Sequence, residues 1–319
     1  MYYLGIDLGG TNIAAGIVDE NYNILKKGSV PTLASRGIDA VMVDMAKLCQ
    51  SLLDEMKLTI DDIAYAGIAS PGTCNSDTGV CEFSNNIVML NYPIADVLKE
   101  KLGVKKVYID NDANAAALAE ALVGSAKGAS SAIMITLGTG VGGGIVIDGK
   151  IFSGFNFAGA ELGHMVIEKG GRPCTCGRRG CFEAYCSASA LSAMTREKMH
   201  ELSLKGIHSQ LFEEEKHDGK VSARTAFNAM RKGDVYGKAI VDDYIEYLAI
   251  GLTNMINIFQ PHILSIGGGV CNEKEYLTVP LTRIINREQY TRDNPNKTKV
   301  VTAALGNDAG IIGAAGLGK

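Results

Sequence analysis

Two segments of the chain share one pattern: an apolar run, a turn rich in Gly and Thr, and a second apolar run that ends in Asp. They span residues 3–19 and 132–148. Asp7 precedes Asp19 by the same offset as Thr136 precedes Asp148. Two apolar runs around a short glycine turn predict a β-hairpin, and the recurrence predicts equivalent hairpins in two similar domains. Chance similarity between glycine-rich hairpins is the alternative.

Around these hairpins, predicted strands and helices alternate, which indicates an α/β fold. Helical patterns cover 37–56, 113–123, 233–259 and 307–313, and strand patterns cover 63–69, 104–109 and 263–266. The polar stretch 207–220 predicts a solvated loop or helix end. A chain of 319 residues is long enough for two domains with separate cores.

Composition argues against two classes of partner. The net charge is −4, from 31 Lys and Arg against 35 Asp and Glu, with no dense basic block, so we expect no nucleic-acid binding. No apolar run approaches the roughly 20 residues that span a bilayer. The chain begins with a strand-like segment in place of a signal peptide, so we expect no membrane partner and a cytoplasmic location.

One histidine and three cysteines have the spacing of a metal site: His164, Cys174, Cys176 and Cys181. Cys₃His is a complete tetrahedral donor set, so we expect structural Zn²⁺ with no open position for substrate. Four unrelated buried residues are the alternative. Closing this loop would also gather the carboxylates of Glu161 and Glu183. The other five cysteines are predicted to be small buried hydrophobes: Cys49, Cys74, Cys81, Cys186 and Cys271.

The glycine turns can serve a nucleotide, because amide groups without a neighbouring Cβ can cradle phosphate oxygens. The candidate residues are Gly9, Gly10, Thr11, Asn12, Gly138, Thr139 and Gly140. Asp7, at the end of the first strand, can hold Mg²⁺ directly or through water. Gly267 and Gly268, after a later strand, would let an adenine ring approach the backbone. A plain hairpin turn is the alternative for each, and neither a P-loop nor a Rossmann turn is present.

A polar cluster, Asp110-Asn111-Asp112, lies between a predicted strand and a predicted helix. Asn111 or Asp112 could simply cap that helix. Three such side chains are more than one cap needs, so we also expect a sugar- or hydroxyl-binding role. Asp112 would then take the proton from an attacking hydroxyl.

Together these motifs resemble the ROK family of bacterial sugar kinases and repressors, from Gly5 to Gly316, with the closest likeness to its glucokinases. The resemblance implies an actin-like, hexokinase-type fold of two ribonuclease-H-like domains around a cleft. It implies a small domain of residues 1–112 plus about 305–319. It implies a large domain of residues 113–304 that carries the zinc-binding loop 164–181.

The resemblance also assigns roles. Asp112 would be the catalytic base, and the sugar contacts would be Asn86, Asn111, Asp112, Glu161, His164 and Glu183. Phe182 departs from the smaller aliphatic residue common there, which we expect to alter packing and leave ligation unchanged. The implied activity is ATP-dependent phosphorylation of a hexose at the 6-hydroxyl, with glucose first and a place in glycolysis. A homodimer or homotetramer is the implied assembly.

Several alternatives stay open. N-acetylmannosamine, allose, fructose and N-acetylglucosamine are credible substrates, and polyphosphate is a credible donor. Repressors of this family carry a winged helix before the first hairpin, and here that hairpin begins beside Met1, so we expect no DNA-binding role. A filament or chaperone ATPase would account for the nucleotide hairpins but leaves the zinc loop and Asn111-Asp112 unexplained.

Overall fold

The computed structural model describes residues 1–85 and 87–319. The strands are β1 Tyr2–Leu8, β2 Asn12–Val18, β3 Ile24–Pro31, β4 Ile63–Ser70, β5 Thr73–Asn75, β6 Val80–Ser84, β7 Met89–Tyr92, β8 Val107–Asn111, β9 Ser131–Leu137, β10 Val141–Ile147, β11 Lys150–Ile151, β12 Ile263–Gly267 and β13 Lys299–Thr302. The helices are α1 Ile38–Met56, α2 Ile94–Leu102, α3 Asp112–Leu122, α4 Glu183–Cys186, α5 Ala188–Leu204, α6 Gln210–Asp218, α7 Ala223–Arg231, α8 Val235–Phe259, α9 Glu275–Glu288 and α10 Ala309–Gly316. Among the described residues, no helix has the length and apolar character to cross a membrane.

The first sheet has the order β3-β2-β1-β4-β8. The predicted first hairpin is confirmed, because β1 and β2 pair antiparallel with Asp7 opposite Ala14. β1, β4 and β8 run parallel, so their carboxyl ends share one edge of the sheet. Asp7, the last residue but one of β1, lies beside Ala69, and Ser70 of β4 pairs with Asn111 of β8. The parallel pairing therefore brings the motif residues of β1 and β8 to that edge.

Helix α1 covers one face of this sheet. Its apolar residues recur at helical spacing, so that Val41, Met45, Leu48 and Leu52 are all buried against the strands. Helix α10 packs against β1, β4 and α3. The approach on that side is close enough that a Cβ at Gly67 would overlap the carbonyl of Ala314.

A smaller three-stranded sheet has the order β5-β6-β7. Its strands are antiparallel, and a register shift follows Thr73 in β5. Cys74 lies directly opposite Cys81 across the first pair of strands. This sheet was not predicted, because its strands are three to five residues long and lack a strong alternating pattern.

The remaining sheet has the order β11-β10-β9-β12-β13. The predicted second hairpin is confirmed, since β9 and β10 are neighbours joined by residues 138–140. Among the helices that follow, α8 begins at a cap where Asp234 accepts from the amides of Tyr236 and Gly237. It ends at Gln260, which has a left-handed φ of 44° before Pro261.

The chain divides into two compact units. The first comprises residues 1–134, 144–160 and 304–319, and the second comprises 135–143 and 161–303. Residues 113–134 and 144–160, which the sequence assigned to the large domain, therefore cluster with the first unit. Two contacts account for this grouping. Helix α3 packs on α10, and Gly144 lies so close to Ala113 and Ala117 that a Cβ would not fit. The hinged two-domain division stays a prediction, because compactness does not locate a hinge.

Two expectations need correction. The stretch predicted as a loop or helix end contains helix α6, because Ser209 caps it and Leu211 and Glu214 are buried against its neighbours. Cys271 is partly exposed, whereas Cys49, Cys74, Cys81 and Cys186 are buried as expected. Cys271 lies in a short 3₁₀ helix, Gly269–Glu273, whose buried residues are Val270 and Glu273.

Candidate functional site

The polar cluster at the start of α3 resolves into distinct roles. Asn111 is the helix cap, since its Oδ1 accepts from the amides of Ala113 at 2.9 Å and Asn114 at 3.4 Å. Its Nδ2 donates to the carbonyl of Gly72 at 3.0 Å. Both ends of the Asn111 side chain are therefore held in place, and its cap function is satisfied without Asp112.

Asp110 stabilises this helix cap through two hydrogen bonds. Its buried carboxylate accepts from the amide of Asn111 at 2.7 Å and from Nδ2 of Asn114 at 2.9 Å. Burial raises the pKa of Asp110, and these two hydrogen bonds oppose that shift. Two of the three polar side chains thus serve the backbone, which leaves Asp112 as the candidate for chemistry.

Asp112 is the first residue of α3, and its Oδ1 accepts from the amide of Ala113 at 2.8 Å. Its side chain reaches solvent, yet surrounding protein atoms desolvate the carboxyl and raise its pKa. A carboxylate with a raised pKa is a stronger base than an ordinary aspartate. The helix cap therefore presents a fixed and activated carboxylate.

Asp7 lies near this carboxylate, at the end of β1. Burial and, secondarily, the charge of Asp112 raise the pKa of Asp7 to about 6. Its carboxylate also lies against the first turn of α10, where a Cβ at Gly310 would overlap it. The described residues give Asp7 and Asp112 no ion pair with a basic side chain. Two neighbouring, desolvated carboxylates without a countercharge suit a divalent cation.

The first glycine turn is a tight loop that is hydrogen-bonded to Thr32. The amide of Gly9 donates to the carbonyl of Asn12 at 3.0 Å, and the hydroxyl of Thr32 donates to the carbonyl of Gly9 at 2.6 Å. Gly10, Thr11 and Asn12 are exposed at its tip. Thr32 was not singled out from the sequence, because nothing in its local pattern connects it to a turn 20 residues earlier.

The second glycine turn is attached to the segment that follows the cysteines. The carbonyl of Gly138 accepts from the amide of Ala188 at 2.8 Å, and the amide of Val141 donates to Oε2 of Glu183 at 3.0 Å. A side chain at Gly140 would overlap the same carboxylate. Thr139 is exposed at the tip. In the third candidate glycine segment, which follows β12, Gly267 is buried at the end of the strand and Gly268 is exposed with a φ of 82°.

The structure brings the four predicted metal ligands together in the second unit. One donor atom from each of His164, Cys174, Cys176 and Cys181 lies within 4.8 Å of the others. His164 Nδ1 is 3.6 Å from Cys174 Sγ, and the sulfurs of Cys176 and Cys181 are 3.7 Å apart. The arrangement could hold a tetrahedral metal ion.

Backbone hydrogen bonds shape this loop. The amide of Cys174 donates to the carbonyl of Arg178 at 2.9 Å. The amide of Gly177 donates to Cys174, and Gly177 and Gly180 have left-handed φ angles of 87° and 81°. The predicted glycine positions in the cysteine loop are thus the places where the chain needs that conformation.

Glu183 connects the cysteine loop with the second glycine turn. Besides the bond to Val141, its Oε1 accepts from the hydroxyl of Thr175 at 3.2 Å and from Cys174 Sγ at 3.6 Å. Each oxygen keeps lone-pair capacity for a further donor. Thr175 was not predicted as a site residue, although its position between two predicted ligand cysteines could have indicated that it lies at the site.

Phe182 lies between Cys181 and Glu183 and is fully buried. Its ring occupies the space beside Gly251 of α8, where any Cβ would overlap it. The Phe182 side chain therefore packs the end of the cysteine loop against helix α8.

The predicted residues fall into two groups, which the structure describes separately. The first unit contains Asp7, Gly9, Gly10, Thr11, Asn12, Asn111 and Asp112. The second unit contains Gly138, Thr139, Gly140, Glu161, His164, Cys174, Cys176, Cys181, Glu183, Gly267 and Gly268. Glu161 precedes the 3₁₀ helix Leu162–His164, and its carbonyl accepts from the amide of His164. Asn86 lies outside the described residues.

A family model named ROK family matches residues 3–319. The chain belongs to the ROK family. It is 38% identical over 317 residues to a glucokinase from Thermotoga maritima, covering 98% of this chain and 96% of that relative. It is 31% identical to an N-acetyl-D-glucosamine kinase from Aliivibrio salmonicida, covering 85% of each.

Among solved structures, a ROK family glucokinase from Streptomyces griseus in complex with glucose and AMPPNP is 29% identical and has a TM-score of 0.81. The match covers 99% of this chain and 98% of that one. The fold is thus the actin-like, ribonuclease-H-like sugar-kinase fold that the sequence predicted, and the chain is an ATP-dependent sugar kinase.

The raised pKa of Asp7 predicts a specific dependence of stability on pH. In metal-free protein the ionised carboxylate costs stability above about pH 6, and that cost disappears as pH falls toward the ordinary value of 3.8. Asp7→Asn should therefore increase the free energy of unfolding at pH 8 by about 3 kcal/mol and have little effect near pH 4.

Urea unfolding at pH 8, 6 and 4 measures this difference. Asp77→Asn is the matched control, since Asp77 is exposed on a turn and should change stability by less than about 0.5 kcal/mol at every pH. A variant of Asp7 that is equally or less stable at pH 8 would show that its carboxylate is well solvated.

Proposed function

We propose that this chain transfers the γ-phosphoryl group of ATP to the 6-hydroxyl of glucose. The observation that carries the proposal is the likeness, over 99% of the chain, to a glucokinase solved with glucose and AMPPNP. The glucokinase from Thermotoga maritima supports the same substrate. The chemistry of Asp112 and Asp7 fits this reaction.

Asp112 would act as the general base. The 6-oxygen of the sugar attacks the γ-phosphorus as the bond to ADP breaks, and the hydroxyl proton passes to the carboxylate. Because Asn111 and Asp110 fix the start of α3, the base would be held in one position. Holding Asp112 in place would lower the reaction barrier by keeping the base close to the hydroxyl. The raised pKa of Asp112 would make its carboxylate a stronger base.

Asp7 is the residue that would hold Mg²⁺, directly or through water. When bound, the ion would neutralise charge on the phosphoryl oxygens. Its fit rests on the uncompensated pair of Asp7 and Asp112. Gly9, Gly10, Thr11 and Asn12 of the first turn, with Gly138, Thr139 and Gly140 of the second, would receive the phosphates through amides and hydroxyls. Gly267 and Gly268 would lie beside the adenine.

The metal of the cysteine loop would be a structural Zn²⁺. Tetrahedral zinc with about 2.3 Å bonds to sulfur and about 2.05 Å bonds to nitrogen separates two sulfurs by about 3.8 Å and sulfur from nitrogen by about 3.6 Å. The observed 3.7 Å and 3.6 Å agree with both values. Four protein donors fill the coordination sphere, so the ion's role would be to fix the loop.

The proposed sugar contacts are Asn86, Asn111, Asp112, Glu161, His164 and Glu183. For His164, one ring nitrogen would bind zinc and the other would face a hydroxyl or carboxylate. For Glu183, the bonds to Thr175 and Val141 would orient the carboxylate for a further donor. These roles rest on the family resemblance and on the geometry within each unit.

A panel assay tests the substrate. ADP release is followed with glucose, mannose, allose, fructose, N-acetylglucosamine and N-acetylmannosamine, with ATP and then polyphosphate as donor. The proposal requires the highest kcat/KM for glucose with ATP. The likeness to an N-acetyl-D-glucosamine kinase makes N-acetylglucosamine the second candidate, and a higher kcat/KM for that sugar would replace glucose.

Asp112→Asn should lower kcat by about 10²-fold or more and leave the Kd for glucose within about threefold, because the amide preserves shape but accepts no proton. Single-turnover kinetics and calorimetric titration measure the two quantities. Asp77→Asn, an exposed substitution of the same chemistry, is the control. Near-normal turnover in Asp112→Asn would remove that residue from the base role.

Removal of the metal should weaken sugar binding first. Without it His164 and Glu183 lose their orientation, so the Kd for glucose should rise about tenfold. The Kd for AMPPNP should change less than about threefold, because the second turn keeps its bond from Ala188. Titration of chelator-treated, zinc-restored and Cys176→Ser protein measures both, with Cys271→Ser as the control thiol outside the ligand set. Unchanged glucose affinity in metal-free protein would contradict the proposed coupling.

A homodimer or homotetramer, a cytoplasmic location and a place in glycolysis remain proposals of the family resemblance. The net charge of −4 supports a kinase that has no nucleic-acid partner. Light scattering of the purified protein, with and without ATP, would give the assembly state and would also detect ATP-dependent filaments.

A further inference from the structure

Two cysteines outside the metal set face each other across the small sheet. Cys74 of β5 and Cys81 of β6 are direct partners in the antiparallel register. Direct partners have Cα atoms about 4.5 or 5.5 Å apart, and both values lie in the range of about 4.4–6.8 Å that a disulfide needs. Both thiols are free and buried. The backbone therefore already holds these residues at bridging distance.

Both sulfurs point to the same segment of chain. Cys74 Sγ lies 3.8 Å from the carbonyl of Ser70 and 3.9 Å from that of Gly72, and Cys81 Sγ lies 3.8 Å from the carbonyl of Pro71. The thiols also interact with each other. The hydrogen bond from Cys74 lowers the pKa of Cys81 and raises that of Cys74. Cys81 is thus the better nucleophile of the two.

The segment that the sulfurs contact leads to the start of α3. The carbonyl of Gly72 accepts from Nδ2 of Asn111 at 3.0 Å, and Asn111 caps the helix that begins with Asp112. Gly72 has a φ of 94° and lies against the backbone of Phe83, where a Cβ would overlap. It has little room to absorb a shift of the neighbouring strands.

We propose that Cys74 and Cys81 are a redox modification site, which a peroxide converts reversibly into a disulfide beside the Gly72–Asn111 contact. The Cys81 thiolate attacks one oxygen of hydrogen peroxide and releases hydroxide, which leaves a sulfenic acid. Cys74 then attacks that sulfur and releases water, so two thiols and one peroxide give one disulfide and two waters. The two electrons pass from the sulfurs to the peroxide.

Hydrogen peroxide can reach the two thiols because the strand that covers them, β5, is short. β5 has three residues and lies at the edge of its sheet, so opening it breaks few hydrogen bonds. Hydrogen peroxide is small enough to use such an opening. A lone buried thiol such as Cys49, inside α1, has no partner in register and serves as the natural comparison.

The consequence for activity rests on the proposed function. Bond formation draws the two sulfurs together and displaces the carbonyls of Ser70, Pro71 and Gly72 that they contact. The hydrogen bond from Asn111 to Gly72 should weaken. Loss of one such bond corresponds to about a fivefold change, which we expect in the KM for glucose.

Peptide mapping tests the site without any assay of activity. Cleavage before aspartate separates residues 62–76, with Cys74, from residues 77–95, with Cys81, so only a disulfide keeps them joined. Native protein is treated with hydrogen peroxide, blocked with N-ethylmaleimide and digested without reductant. We expect the joined peptides, their separation by dithiothreitol, and an unchanged yield in Cys49→Ala.

The metal-loop cysteines lie in a different peptide, 148–217, so their oxidation is scored independently. The proposal is overturned if Cys74 and Cys81 are recovered as alkylated thiols while that peptide is oxidised. The KM for glucose is measured in parallel for wild type, Cys74→Ala and Cys81→Ala. An oxidised wild type with joined peptides and an unchanged KM refutes the link to Asn111. A reduced protein inactive on every sugar refutes the proposed function and leaves the mapping result standing.

Discussion

The path of the cysteine loop depends on the convergence of four donor atoms. Residues 166–180 bury almost no apolar side chain, so hydrophobic packing cannot define their path. Their shape comes from the approach of His164 to three cysteines, from three left-handed glycines at 170, 177 and 180, and from the burial of Phe182 in the core. A metal held by these donors would contribute folding energy to a segment that buries little apolar surface.

Glu183 transfers the order of that loop to its surroundings. Its two oxygens bond to Thr175 within the loop and to Val141 after the second glycine turn. Gly140 has no side chain in the space that the carboxylate occupies. The glycine of the turn thus serves a packing need as well as any need of a phosphate. Under the proposed function, the sugar and phosphate contacts in this unit would share the Glu183 carboxylate as a structural element.

The first unit meets a different requirement, which is to keep carboxylates desolvated and still charged. Burial raises the pKa of Asp7, Asp110 and Asp112. Hydrogen bonds oppose that shift at Asp110 and Asp112, whereas at Asp7 the charge of Asp112 adds to it. Asp7 and Asp112 cost stability when ionised, and under the proposed function they would supply a cation site and a base. Asp110 and Asn111 lie next to Asp112 in sequence, so one short segment combines support with a desolvated carboxylate.

Local patterns in the sequence predicted the hairpins, the helix after Asn111 and the metal set, because each is determined by neighbours within about 20 residues. The nearness of Asp7 to Asp112 and Gly310 was not predictable in the same way, since it follows from the parallel pairing of β1, β4 and β8 and from α10 packing on them. Helix α6 was missed because only Leu211 and Glu214 are buried. Glu214 pairs with Lys232 and Asn228, and a charged residue gives no apolar period. The bond from the amide of Val141 to Glu183 also joins residues 42 positions apart.

The most direct test of this account is X-ray absorption at the zinc edge of the purified protein. The account predicts about one zinc per chain, with three sulfurs at about 2.3 Å, one nitrogen at about 2.0 Å and no oxygen ligand. The spectrum should stay the same when glucose is added, because the ion has no open position. A site rich in oxygen, or a ligand shell that changes with glucose, would contradict a purely structural metal.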